Sequence, residues 1–537
     1  MSSKLRQTNI QKLQSEHFNV CVVGGGINGA VCAAALSAQG AKVALIDKGD
    51  FAGKTSSQSS NLAWGGIKYL ENREFSLVWR LCRSRNHLVK HYPSTVRETR
   101  FVTSIHQGFR LPVFAIYAGT LLYWLMGRFR TRRPRFLSKK SLTKRDSHIR
   151  MDQVKGGVEY SDCYLHDNDA RFTFGFVRSA MDHGAIAANY VSSTSAEFQK
   201  GRWCIQSTDN ISDEAFAIRA GTLINACGPE VDTYNLMLRQ KTHCEHVYSK
   251  GVHLMVNRVT KNDRILTFFA SDGRLFFVIP MGPKTCIGTT DTRVAQPHAG
   301  VSDEDRRFIL NNANEMLKLA EPLKECDIIA ERCGVRPLVS NTGENETDWL
   351  SLSRSHHIEF DKKNRHISIF GGKLTDCLNI GEEILELSEK LGIELPSRGR
   401  QWFGEPGPEI REKFYHQAQM MKLDQMTNPQ SCEPLSDRLW RRYGEAAFNM
   451  LEMIRQQPAM AECMIENTEY LRCEIEHTAG REMITKLDDF LRRRSKISLV
   501  VPNQTLRESR GLIDACAILF GEDAQIRHAE YFSPPVN

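Results

Sequence analysis

Val20-Cys-Val-Val-Gly24-Gly-Gly26-Ile-Asn-Gly29, then an Ala-rich stretch, then Lys42-Val-Ala-Leu-Ile-Asp47, is the sequence that decides the fold. The first apolar run reads as a buried strand, the glycines as a tight turn, the small residues as a helix, and the second apolar run as a neighbouring strand closed by a carboxylate. This order can hold a dinucleotide, because the glycines let backbone approach a pyrophosphate whose charge the exposed helix N–H groups stabilise. Asp47 lies 23 residues after Gly24, close to the spacing at which a carboxylate reaches a ribose hydroxyl. Gly24, Gly25, Gly26, Ile27, Asn28, Gly29 and Asp47 are the first candidate cofactor residues.

Outward from this unit, Thr55 to Glu71 is too rich in Ser and Gly for an ordinary helix or strand. It reads as a loop whose Thr55, Ser56, Ser57, Gly65 and Gly66 offer hydroxyls and amides to a ligand. Leu223-Ile-Asn-Ala-Cys-Gly228-Pro229 ends an apolar strand in a tight turn, a second place to meet the cofactor. Alternating runs between 246 and 292, such as Leu275 to Pro280 and Cys286 to Asp291, predict an antiparallel sheet inserted into the first domain. Ile367-Ser-Ile-Phe-Gly-Gly372-Lys-Leu-Thr375 returns to strand, glycine turn and helix, with the helix continuing to about Leu391. Pro396 to Pro408 is rich in Pro and Gly and reads as a linker, and helical patterns fill 430 to 521.

The expected fold class is α/β: a Rossmann-like dinucleotide-binding domain, an inserted antiparallel-sheet substrate domain and a C-terminal helical domain. The expected divisions are 1–17 as an N-terminal extension, 18–395 as the bipartite nucleotide and substrate region, 396–430 as a linker and 431–525 as the helical domain. The 41% hydrophobic and 25% charged residues suit a soluble globular protein. The 15 cysteines are scattered with no C-x-x-C pair, and no secretory signal precedes the first strand. They read as reduced thiols of a cytoplasmic protein, and no metal site is expected.

The net charge of +8 is concentrated, since residues 128–155 hold eleven basic side chains against Asp146 and Asp152. Just before them, Leu111 to Gly127 is a run of seventeen residues without a charge. That is marginal for a bilayer span, and a true span would divide one nucleotide fold between two sides of a membrane. An apolar helix in the lipid interface, with flanking Arg and Lys on anionic headgroups, suits 111–145 better. The alternative is a buried helix beside a solvated basic loop. No interleaved aromatic pattern supports nucleic acid.

Eight motifs in order, Gly24 to Ala30, Lys48-Gly-Asp-Phe-Ala52, Thr55-Ser-Ser57, Gly65-Gly66, Tyr69-Leu-Glu71, Tyr160-Ser-Asp-Cys163, Gly334-Val-Arg-Pro-Leu338 and Phe370-Gly-Gly-Lys-Leu-Thr375, give the chain a resemblance. It resembles the FAD-dependent glycerol-3-phosphate dehydrogenases, within the wider D-amino-acid oxidase superfamily, over nearly its whole length. The resemblance implies FAD, and two distant glycine turns fit so long a dinucleotide, whereas NAD normally needs only the first. It places Gly372, Lys373, Leu374 and Thr375 beside the flavin ring. It implies hydride transfer from sn-glycerol 3-phosphate in glycerol metabolism, with His253 as base and Arg336 as a catalytic and phosphate-binding residue. Lys68, Tyr69, Arg274, Arg354 and Lys373 complete the expected substrate contacts.

Quinone is the acceptor that the family implies, reached from a peripheral position on the cytoplasmic face of the membrane. The C-terminal helices are a possible homodimer surface. The chain departs from the family at Trp64, where a histidine is usual, at Lys68 in place of an arginine, and at Thr375-Asp376-Cys377-Leu378 in place of Thr-Thr-Tyr-Arg. Two further readings stay open: a flavin oxidase or dehydrogenase of another hydroxy- or amino-substrate, and a non-catalytic flavin-binding scaffold.

Overall fold

The first apolar run forms the strand His17–Val23, which lies between Val43–Ile46 and Ala215–Asn225 in parallel register. The computed structural model describes residues 2–341, 355–429 and 431–533. Among these, one sheet of eight strands runs in the order His357–Asp361, His366–Phe370, Ala215–Asn225, His17–Val23, Val43–Ile46, Ile186–Ala188. Arg202–Asp209 and Val191–Gln199 extend it antiparallel from Ala215–Asn225.

Parallel strands need both faces covered, and alternate residues of the first strand supply one core each. Val20 and Val22 face the helix Ile27–Ala38, together with Asp169–Asp182 and Cys377–Lys390. Cys21 and Val23 face a second core that includes Trp203, Tyr234 and, from the N-terminal helix Ser2–Ser15, Ile10 and Leu13. That helix is fastened to the domain, with Arg6 Nη1 on Asp209 at 3.1 Å and Asn9 Nδ2 donating to the Ala187 carbonyl at 2.9 Å.

The second sheet has ten strands in the order Thr292–Val294, Cys244–Asn257, Lys284–Gly288, Leu275–Met281, Ile265–Phe269, Val96–His106, Val154–Leu165, Leu62–Ala63. Ala330–Asn341 runs along the other edge of Cys244–Asn257, and Arg135–Ser138 pairs with Val154–Leu165. The sheet is therefore wider than the 246–292 expectation and is built from several separate insertions. It is also not wholly antiparallel, since Ile265–Phe269 and Val96–His106 run parallel.

The expected linker 396–430 needs a larger correction. It contains the helix Pro408–Met420, whose Phe414 and Ala418 are buried against Trp440 and Tyr443 of the C-terminal helices. Pro408 starts this helix rather than breaking the chain, because proline at the first helical position loses an N–H that would have no partner there. The C-terminal helices carry two cores and meet the nucleotide domain through buried charges: Asp50 takes Arg493 at 2.6 Å and Arg494 at 2.7 Å.

Candidate functional site

The first glycine turn is closed too tightly for side chains. A Cβ on Gly24, whose φ is +104°, would lie 2.4 Å from the Ala226 carbonyl oxygen, and one on Gly29 would lie 1.8 Å from that of Gly24. The strand end at 223–226 thus forms the floor of the turn. Gly228 itself begins a short helical turn, and a Cβ there would meet nothing within 4 Å. Gly26 precedes the helix Ile27–Ala38 without a side-chain cap, and Ser56 Oγ accepts from Ile27 N at 2.9 Å.

Asn28 Nδ2 donates to the Gly371 carbonyl at 3.0 Å, so one side chain joins the two glycine turns that sequence places 343 residues apart. Its Oδ1 is buried with no hydrogen-bond partner. The Asp47 carboxylate accepts from Gly25 N at 2.6 Å and Gly49 N at 2.8 Å, while burial pushes its pKa up to about 6. A side-chain-free turn, a helix start that Gly26 leaves without a cap of its own, an unused buried acceptor and a placed carboxylate suit a dinucleotide. Thr55 Oγ1 donates to the Val335 carbonyl at 2.8 Å and attaches the 55–57 turn to the second sheet.

The segments 62–70 and 373–376 meet beside this cradle. Trp64 N donates to Thr375 Oγ1 at 3.1 Å, and the Trp64 ring packs 5.8 Å from Tyr69 and 6.4 Å from Phe277. Lys373 Nζ bonds the Tyr69 hydroxyl and lies 3.9 Å from its ring centroid. Lys68 is half-buried in the turn Ile67–Leu70, and Leu374 packs against the nucleotide-domain core. Gly65 N donates to Asp162 at 3.3 Å, an acid held by Arg85 at 3.1 Å and by the Tyr123 hydroxyl.

The departures after Thr375 have a structural reason. Leu378 is a buried core residue, where a cation would have no partner. Asp376 turns away to accept from Ser84 Oγ at 2.8 Å and to pair with His356 Nδ1 at 2.9 Å. His356 also meets Glu383 at 3.0 Å, and these two acids, against burial, raise its pKa to about 9.

The remaining candidates sit on one face of the second sheet. Register sets Ser249 opposite Arg336, Gly251 opposite Gly334 and His253 opposite Arg332. Side chains two apart share a face, so a glycine pair separates two functional pairs. The Arg336 guanidinium reaches Thr289 Oγ1 at 3.2 Å and Asp291 Oδ1 at 3.5 Å. Asp291 also takes Ser249 Oγ on its carboxylate and Arg274 Nη1 on its carbonyl, while Arg274 Nε pairs with Asp272 at 2.7 Å.

His253 is 2% exposed, and neither ring nitrogen has a hydrogen-bond partner. Burial, then the Arg336 and Arg332 cations, push its pKa down to about 3, so the ring is neutral. Arg332 is fully buried, with Nη1 donating to the Ser59 carbonyl at 2.5 Å and to Asn61 Oδ1 at 3.0 Å. His253 also lies opposite Gly288, which lies opposite Phe277, the residue that Trp64 packs on. The sheet therefore brings His253 and Arg336 to the face of Phe277, on which the Trp64, Tyr69 and Lys373 group packs, while Arg274, just before Leu275–Met281, joins them through the Asp291 carbonyl. Arg354 lies outside the described residues.

Ser249, Gly251, Asp291, Arg332 and Gly334 adjoin the candidate site and were not singled out from the sequence. The signal was present as a period of two in Ser249-Lys-Gly-Val-His253 and Arg332-Cys-Gly-Val-Arg336.

The apolar run 111–127 forms the helix Val113–Met126, held by Tyr123 from its buried side. Phe114, Leu125 and, just beyond, Phe129 stand outward, at 72%, 54% and 54% exposure. No helix among the described residues is long and apolar enough to cross a membrane. Part of the basic cluster is structural: Arg145, with Arg100, converges on Glu159 at 3.2 and 3.0 Å, whereas Arg132 and Arg135 are largely exposed.

Residues 19–355 match the FAD dependent oxidoreductase family, and residues 411–526 match the C-terminal domain of alpha-glycerophosphate oxidase. The chain is 28% identical to the aerobic glycerol-3-phosphate dehydrogenase of Staphylococcus epidermidis over 509 residues, covering 92% of this chain and 89% of that one. It is 29% identical to the glycerol-3-phosphate dehydrogenase of Pseudomonas aeruginosa, covering 92% and 94%. Its fold is similar to that of the glycerol-3-phosphate dehydrogenase from Bacillus halodurans complexed with FAD, with a TM-score of 0.72, 24% identity and coverage of 99% and 97%.

Proposed function

Because the chain belongs to the FAD-dependent oxidoreductase family, we propose that it oxidises sn-glycerol 3-phosphate to dihydroxyacetone phosphate and passes the electrons to quinone at a membrane surface. The observation that carries this reading is the shared face of His253 and Arg336, with Arg274 joined to Arg336 through Asp291, next to a cradle that fits FAD. FAD, when bound, supplies the two-electron acceptor for the hydrogen leaving C2.

The chain's own residues do the rest. Arg336 offers a guanidinium fork to the phosphate, with Arg274, Lys68 and Lys373 as further cations around the site, and Arg354 belongs to the same proposal. His253 takes the proton of the C2 hydroxyl as the C–H bond breaks and the carbonyl forms. A phosphate on Arg336 offsets one of the charges that depress His253, so substrate binding raises the basicity of the group that must act on it.

Trp64, Phe277 and Tyr69 keep that face apolar and exclude water. The outward Phe114, Leu125 and Phe129, near exposed Arg132, support docking in the interface of an anionic leaflet on its cytoplasmic face. A lipid-soluble acceptor gives that surface a purpose.

Anaerobic absorbance at the flavin band, before and after adding glycerol 3-phosphate, tests the reading. Bleaching is expected. A spectrum that stays oxidised overturns the substrate assignment and directs the search to other alcohols or amines.

A further inference from the structure

Leu491-Arg492-Arg493-Arg494 lies in the helical turn Asp489–Arg494, where the C-terminal helices meet the nucleotide domain. Two of its three arginines are saturated by carboxylates. Arg493 reaches Asp50 and Asp489, each at 2.6 Å, and also pairs with Asp488. Arg494 holds Asp50 through Nη1 at 2.7 Å and Nη2 at 2.8 Å.

Arg492 differs. Its Nη2 donates to Gln58 Oε1 at 3.0 Å and to the Glu331 carbonyl at 2.9 Å, both neutral acceptors. Among the described residues its Nε and Nη1 make no hydrogen bond, and no carboxylate lies within ion-pair distance. Burial, and the neighbouring Arg332, lower its pKa to about 10 against the pull of the more distant Asp488 and Asp169.

This guanidinium lines an open pocket of about 350 Å³ with Arg493, Ser498, Asn503 and Tyr531. The one carboxylate in the lining, Asp488, is already engaged by Arg493. The Ser498 hydroxyl is buried, with the Tyr531 hydroxyl of the same pocket as its polar neighbour. A cavity with a surplus guanidinium, three N–H groups without acceptors and neutral donors around it is complementary to an oxyanion.

We infer that this pocket binds a small phosphate-type oxyanion on Arg492, with Ser498, Asn503 and Tyr531 as further donors. The site is separate from Arg336. Gln58 adjoins the 55–57 turn, and Glu331 adjoins Arg332 on the substrate sheet, so the anion fastens the C-terminal helices to both parts of the oxidoreductase region. It serves as a removable link between them.

The test uses the full-length FAD-loaded protein carrying Arg336→Gln, so that phosphate in the substrate site does not contribute. Thermal unfolding is followed against inorganic phosphate, with chloride at matched ionic strength as reference. A saturable rise in Tm of at least about 2 °C is expected. It is lost when Arg492→Gln is added, and equally with Ser498→Asp, which keeps Arg492 and its two bonds but fills the pocket with a carboxylate. No rise in the Arg336→Gln protein overturns the proposal, as does a rise that persists in both double variants. Methyl phosphate distinguishes the source: a rise equal to that of inorganic phosphate assigns the site to the phosphate group in free or esterified form, and a rise with inorganic phosphate alone restricts it to the free ion. A failure of glycerol 3-phosphate to bleach the flavin leaves these outcomes unaffected.

Discussion

Gly251 lies under the guanidinium of Arg336, so close that a Cβ at 251 would come within 2.1 Å of Nη2. The glycine thus makes room for the proposed phosphate-binding guanidinium although it offers no group to the substrate. Gly251→Ala displaces the guanidinium and is expected to raise KM for glycerol 3-phosphate about 10- to 100-fold, with FAD retained. Arg336→Ala removes the guanidinium altogether and should raise KM further than Gly251→Ala. Steady-state kinetics with flavin quantified by absorbance checks both, and an unchanged KM in either removes Arg336 from the phosphate site.

His253→Ala is expected to lower kcat by about 10²–10⁴-fold, the usual contribution of a general base. Because its folded pKa is about 3 in the free protein, kcat/KM should show no acid limb from this residue between pH 5 and 7. A limb near pH 6.5 that disappears in His253→Ala would show a solvated histidine instead.

The buried neutral histidines also set the response to acid. His253, His366 and His477 have pKa values pushed down by burial to about 3, 4 and 4. The unfolded chain, with histidine near about 6.5, binds more protons, so stability falls as pH drops below that value. Each group contributes up to about 1.4 kcal/mol per pH unit over that window. Tm should decline steeply from pH 6.5 to 4.5, and His366→Gln should flatten the decline.

His356 acts in the opposite direction. Its pKa of about 9 means that its pairing with Asp376 and Glu383 stabilises the fold fully below about pH 6.5 and is lost as pH rises through about 9. His356→Gln should therefore lower Tm at pH 6 and converge with the parent protein above pH 9. Parallel curves would show that the imidazolium is not what stabilises the parent.

Membrane contact depends on two separable forces. Replacing Phe114, Leu125 and Phe129 with Ser removes apolar burial of about 1.5–3 kcal/mol per fully buried side chain. Cosedimentation with anionic vesicles should fall at least about tenfold at any ionic strength. Neutralising Arg132, Arg133 and Arg135 should weaken binding chiefly at low salt. Vesicle binding indifferent to both changes removes this surface from lipid.

Much of the nucleotide domain was legible because its signals are local. Gly24 to Gly29, the run ending at Asp47 and the turn at Gly371-Gly372 each declare strand, turn and helix within about twenty residues. The proposed substrate face was legible only in part. His253, Arg274 and Arg336 could be named, but that Gly251 and Gly334 make room between them depends on the register of two strands about eighty residues apart. Leu378 in place of an arginine looked like the loss of a cation; in the fold it is core, and Asp376 beside it turns toward Ser84 and His356. Pro408 was misread because the same residue punctuates a linker and starts a helix. Asn28 was expected at the pyrophosphate, yet its grip on Gly371 had no sequence signal at all.

The Cys244–Asn257 strand carries Ser249, Gly251 and His253 while paired along its length with Ala330–Asn341, and with Lys284–Gly288 and Thr292–Val294 on its other edge. It works as a ruler fixed on both sides. Adding one residue between Ser249 and His253 would turn His253 to the opposite face and break its alignment with Arg332. Descendants of this fold can alter what they accept by exchanging side chains along the ruler, while its length in residues is closed to change.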